Sequence, residues 1–434
     1  MDACSRRTGF TPLSLALVEG HSECVTALLQ AKCSVNNIFQ NNANMEIQAP
    51  LNIAIIHGHQ DLAKLLLDEG ADVDRADHGH TPLQLAACAG RDECIRHLCK
   101  FKADVNQMTC DKVSLLMMAA LNGKENSIRV LIESKAEVDQ LDGESRSALH
   151  IAIASNHTDC VQALIDGKAD VNLDNPSFGL PSLCMSIQMQ NTECTTKLIE
   201  ARADVNKQQK NGWTPLYMAS MIGCVDVVAL LISEKAQIDW RVDNELTPLW
   251  ASFLNGHEDC MNLLISAKAD VNSKHRGNTL AIAAAKYQAS GNLEILCRAR
   301  ADLRISSNEG DTEINNNLKA VDWSWRNRDV ACMQHCIKAH IDLGDDLNLI
   351  YKDGYTLAIM ASCLGLQSCL VDLLKAKADA TMCCRDATAL SVAQQCGFSN
   401  IVAVLKYALS LSGDDQPTSD QTESPQSITM SYKA

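Results

Sequence analysis

Apolar and polar positions recur along this chain in a two-part rhythm. In "TPLSLALVEGHSECVTALLQAK" (11–32) a run that is apolar on almost every side breaks at a Gly. It then continues as a stretch that is apolar on one face only. The first part predicts a short helix, and the second predicts an amphipathic helix, apolar on one face and polar on the other. "TPL" opens the first helix at 11–13, 81–83, 214–216 and 247–249. There Thr is the cap and Pro takes the first helical position, where its missing N–H costs nothing. "EGH", "HGH" and "NGH" at 19–21, 57–59 and 255–257 mark a tight turn between the two helices.

Each pair closes on a phrase such as "SAKADVN" (266–272), where a cation stands at the position glycine favours. These closing residues are Lys32, Gly70, Lys102, Lys135, Lys168, Arg202, Lys235, Lys268, Arg300, His340 and Lys377, spaced 32 to 40 residues apart and mostly 32 to 34. A period near 33 fits a β-turn followed by two antiparallel helices. The cations form either a basic stripe that grips an acidic chain or a solvated set of caps. An acid follows two residues on at Asp72, Asp104, Glu137, Asp170, Asp204, Asp270, Asp302, Asp342 and Asp379. Charges interleaved at this range largely cancel, which favours the caps.

With these motifs the chain resembles the ankyrin repeat family, whose consensus runs from "G-x-T-P-L-H-x-A-A" through "G-H" to "L-L-x-x-G-A-D-V-N". The resemblance implies an all-α solenoid of about twelve repeats over residues 8–409, a curved rod of about 110 Å at about 8–10 Å per layer. Residues 1–7 form an N-terminal segment, and 410–434 are polar, aperiodic and expected to be disordered. The pattern departs from the family's in three ways. The His of "T-P-L-H" stands only at His150, residues 39–48 extend one turn, and 304–335, with Trp323 and Trp325, is irregular.

Composition narrows the class. There are 53 acidic against 38 basic residues, which argues against nucleic acid as partner. No uninterrupted apolar run reaches about 20 residues, so no membrane insertion is expected. Of 20 cysteines, Cys24, Cys94, Cys160, Cys194, Cys260, Cys332 and Cys369 sit eight residues before a closing residue. That places them at one equivalent site facing the core, as free thiols in a reduced, cytoplasmic protein, with the nucleus also open.

No nucleotide loop, kinase triplet, nucleophile elbow or H-E-x-x-H helix is present. The chain therefore reads as no enzyme, with no cofactor. "GESRSALH" (143–150) offers serines and a histidine, but they coincide with a repeat's turn and first helix. Cys332, Cys336 and His340, with His335 and Cys383–Cys384, carry metal-ligand chemistry without the paired short spacings zinc sites use, so no metal is expected. The Asn of "D-V-N" reads as a turn residue bonding its own backbone. The resemblance adds a second role, as substrate of an asparaginyl hydroxylase, at Asn36, Asn106, Asn172, Asn206 and Asn272.

The resemblance implies a protein partner held by the hairpin tips and the face of the first helices. Unusual residues crowd those positions at Trp213, Tyr217, Trp240, Trp250 and Phe253, with Lys207, Lys210, Arg241, Asp243 and Asn244 as a polar rim. Trp213 and Trp240 fall at exposed tips and read as anchors. Tyr217, Trp250 and Phe253 serve either binding or inter-repeat packing. The leading expectation is a monomeric scaffold or adaptor. The alternative is a regulatory inhibitor or substrate-receptor subunit switched by phosphorylation at Ser412 or Ser424.

Overall fold

The computed structural model describes residues 10–36, 39–41, 46–77, 79–173, 179–243, 246–307 and 318–412. Among them 24 helices follow one another in twelve pairs, from Pro12–Glu19 with Ser22–Gln30 to Ala389–Gln395 with Ser399–Ser412. The only strands there are two short antiparallel hairpins, Phe39–Asn41 with Glu46–Gln48 and Lys274–His275 with Asn278–Thr279. The protein is therefore an all-α solenoid. It falls into two compact units, residues 1–269 and 270–434.

The two kinds of helix differ because of what covers them. Leu115–Leu121 lies between the helices before and after it, and Leu115 through Ala120 are all buried. Asp92–Lys100 buries only Cys94, Ile95 and Leu98, one face of two turns. Thr11, Thr81, Thr214 and Thr247 cap the first helices as the sequence predicts, each side-chain oxygen accepting from the N–H three residues on. The Gly of the inter-helix turn is left-handed, with φ 81° at Gly58 and 87° at Gly223. A Cβ at Gly223 would meet the His257 ring at 2.5 Å. That histidine is the "G-H" residue of the next repeat, and its Nε2 reaches back 3.1 Å to the carbonyl of Met221.

The closing cations adopt the left-handed conformation, with φ 69° at Lys102, 74° at Lys135 and 70° at Lys268. The acid two residues on serves the turn itself. The Asp104 Oδ1 accepts from the N–H of Asn106 at 2.9 Å, and Asp204 does the same for Asn206. The Asn side chain goes elsewhere than expected: its Oδ1 accepts from the backbone of the next repeat. Asn106 takes the N–H of Glu137, Asn172 that of Asp204, and Asn206 that of Gln237, each at 2.8 Å. In the second unit Asn272 takes the N–H of Asp302 and Asn348 that of Asp379. With Asp139, which takes the N–H of Asp170, these residues form the rungs of an inter-repeat ladder.

Three sequence expectations are corrected. His340 is no cap: it lies inside the 14-residue helix Val330–Leu343, which ends at Gly344 with φ 68°. Its Nδ1 bonds the Cys336 carbonyl at 2.8 Å in the interior. The turn acid there is accordingly Asp346, whose Oδ1 accepts from Asn348, and not Asp342. Cys24 is exposed, whereas Cys94, Cys160, Cys194, Cys260, Cys332 and Cys369 are buried. No described element precedes the first helix pair to cover it. Elsewhere burial holds the thiols protonated, pushing Cys94, Cys160 and Cys260 up to about 11.

Candidate functional site

The candidate surface is built on two neighbouring hairpin turns of the first unit. The first is closed by the N–H of Gln209 donating to the carbonyl of Trp213 and that of Gly212 donating to Gln209, both at 2.9 Å. Gly212 at φ 79° lets the chain reverse there. The second is closed by a two-way backbone bridge between Val242 and Leu246, at 2.8 and 3.0 Å. One bond joins the two turns: the Trp240 Nε1–H donates to the carbonyl of Gly212 at 3.1 Å. The indole that sequence placed at a free tip thus pins one repeat's turn to the next.

Both tryptophans are half-buried. The Trp213 ring lies 5.5 Å from that of Tyr217 at a 48° tilt. Tyr217, Val242 and Ala251 form a buried floor, and Trp213, Met221, Trp240 and Leu246 pack against it. Burial, and then the nearby Asp243 carboxylate, hold the Tyr217 phenol above its ordinary pKa. Trp250 and Phe253 meet edge to face, ring centroids 5.7 Å apart. With Trp250 2% and Phe253 6% exposed, they fill the interior and present no contact surface. Tyr217, 5% exposed, supports the tryptophans from beneath.

Of the residues expected to form a polar rim, three stand at the surface. Lys210, Arg241 and Asp243 are exposed. Lys207 is half-buried and its Nζ donates to the Asn172 carbonyl, which makes it an inter-repeat strut. Asn244 lies outside the described residues, as does Ser424, and Ser412 is the last residue of the final described helix.

The serine–histidine pair of 143–150 is structural. Ser147 caps its helix and His150 is 1% exposed. The His150 Nδ1 is 2.9 Å from the Ser147 Oγ, and its Nε2 is 3.4 Å from the Ser182 Oγ of the next repeat. Among the described residues no group of three or more His, Cys, Asp or Glu is placed to hold a metal ion. No described helix is long and apolar enough to cross a membrane.

Paired helices stacked through caps and an asparagine ladder define a helical repeat protein. Comparison with known families agrees on the kind: the model described as "Ankyrin repeats (3 copies)" matches residues 32–109, 102–175, 160–244 and 182–275, and "Ankyrin repeat" matches 8–40. The matches together span more than half of the chain, which belongs to the ankyrin repeat family. Ankyrin repeats generally mediate protein–protein interaction, and the family is generally non-enzymatic. Among solved structures, the crystal structure of human ASB11 ankyrin repeat domain is similar at 25% identity. That match covers 48% of this chain and 90% of that one, with a TM-score of 0.41. No curated protein matches the chain.

Proposed function

We propose that the chain is a non-enzymatic scaffold or adaptor that holds a protein partner at the adjacent turns carrying Trp213 and Trp240. The observation that carries this reading is the pair of half-buried indoles on an apolar floor, with Lys210, Arg241 and Asp243 exposed around them. Aromatic anchors with a dry base and a polar rim are the usual centre of interface energy. In this reading the chain works as a monomer in the reducing cytoplasm, in keeping with the buried free thiols of its core.

The structure also sets how the site is tested. Because Trp213 and Trp240 pack against the floor, alanine at either lowers stability as well as binding, and the two effects mix. Lys210→Glu with Arg241→Glu reverses two exposed charges and leaves the aromatic floor intact, so the chain should stay folded. Capture of the native partner by the purified chain should fall at least tenfold with that pair, and also with Asp243→Lys at the third exposed rim residue. Undiminished capture by both variants would overturn the site.

A further inference from the structure

The helix Val330–Leu343 is more than one turn longer than Ser290–Arg298 before it and Gln367–Lys375 after it. Its last residues stand past the ends of both neighbours, and a cleft of about 690 Å³ spans the three helices. Cys297, Ile337, Ile341 and Ala376 give it an apolar lining, and Arg298, His335, Lys338 and Lys375 stand around it. Three carboxylates, Glu294, Asp342 and Asp372, balance Arg298, Lys338 and Lys375 in the lining. Glu294 holds Arg298 and lies 3.9 Å from the His335 Nε2, and Asp372 lies 3.7 Å from the Lys375 Nζ. Lys338 is exposed.

Residues 413–434 lie outside the described ones and follow the final helix, Ser399–Ser412. Repeats stack in one orientation, since equivalent Asn and acid positions bond each other along the ladder. The final helix therefore ends at the same end of its layer as the cleft. Two layers separate them, about 20 Å, and 22 residues span up to about 75 Å. This segment carries Asp414, Asp415, Asp420 and Glu423, then "ITMSY". Ile428, Met430 and Tyr432 alternate there, which sets all three on one side of an extended chain.

We propose that the cleft is a docking site for the chain's own residues 428–432, with the acidic run 414–423 passing the exposed Lys338. Tethering supplies an effective concentration in the millimolar range, so a weak intrinsic affinity is enough. Docking would cover the flank of Val330–Leu343 that neither neighbouring helix reaches.

Hydrogen exchange on the full chain tests this. The variant Ile428→Asp/Met430→Asp/Tyr432→Asp changes nothing in the folded repeats. The C-terminal turns of Ser290–Arg298, Val330–Leu343 and Gln367–Lys375 should exchange at least threefold faster in it than in the wild type. A synthetic peptide of residues 413–434, added to that variant, should restore the slow exchange, and Lys338→Glu should weaken the restoration. Equal exchange in wild type and variant would overturn the proposal. So would protection at another surface, or protection that grows with protein concentration, which marks a second copy as the occupant.

Discussion

The layers between residues 79 and 243 and the stretch from 300 to 351 meet the same stacking requirement by different means. In the first, second helices of nine residues end on a left-handed residue, and an Asn, or Asp139 in one layer, bonds the next backbone. In the second, the helix runs on to Gly344 and the interior takes in His340, Asp322 and Tyr351. Contacts special to that place hold them. Lys319 lies over the Tyr351 ring at 5.6 Å, and Lys286 over that of Trp323 at 5.2 Å. Repetition yields interchangeable layers held by volume and a shared rung. The lengthened helix keeps its rung at Asn348, four residues past Gly344, and adds local polar and aromatic contacts of its own.

The regular layers should therefore respond most to volume. Leu98 is fully buried, and Leu98→Ala should cost about 2–5 kcal/mol in urea unfolding. A loss under about 1 kcal/mol would mean that neighbouring layers close the gap, contrary to a tightly packed stack. The irregular stretch should respond to polarity instead. The buried Tyr351 hydroxyl has no hydrogen-bond partner among the described residues, a cost of about 1–3 kcal/mol. Tyr351→Phe should thus hold or raise stability, and a clear loss would break the contrast.

A smaller effect separates the regions by pH. Burial holds His340 below its ordinary pKa, against the opposing pull of the Cys336 carbonyl and Asp345. The unfolded chain regains a value near 6.5, roughly, and binds more protons below it than the folded one does. This contribution is fully present above the unfolded pKa and is lost as pH falls through the folded one. His340→Gln should flatten the decline in stability below about pH 6.5, whereas Leu98→Ala should lower the curve without changing its slope.

Much of the fold was legible because caps and turns must recur in phase when layers are identical. Thr11, Gly58 and Lys102 state their conformations in their residue types, and the 33-residue period follows from them. His340 misled because a His and an acid two residues on fit the closing phrase. The true signal, "GDDLN" at 344–348, lies four residues later and matches "KADVN" in its Asp and Asn. The site was less legible. Family position put Trp213 and Trp240 at tips, but their half-burial depends on Val242 and Leu246 across the layer, which no local pattern encodes. The same applies to Trp250 and Phe253, whose size is absorbed inside the stack. The Asn ladder was invisible for a related reason, since its partner is a backbone N–H about 31 residues on.

The proposed function divides labour: recurring residues hold the layers together, and the aromatic turns that depart from the repeat are proposed to hold the partner. Melting temperature and partner capture, measured together on Asn106→Ala and on Lys210→Glu/Arg241→Glu, test it most directly. Asn106→Ala removes one rung and should lower stability by about 1 kcal/mol with capture unchanged. The charge pair should leave the chain folded and lower capture at least tenfold. If the rung variant, still folded, lost the partner while the charge pair kept it, the division would be wrong.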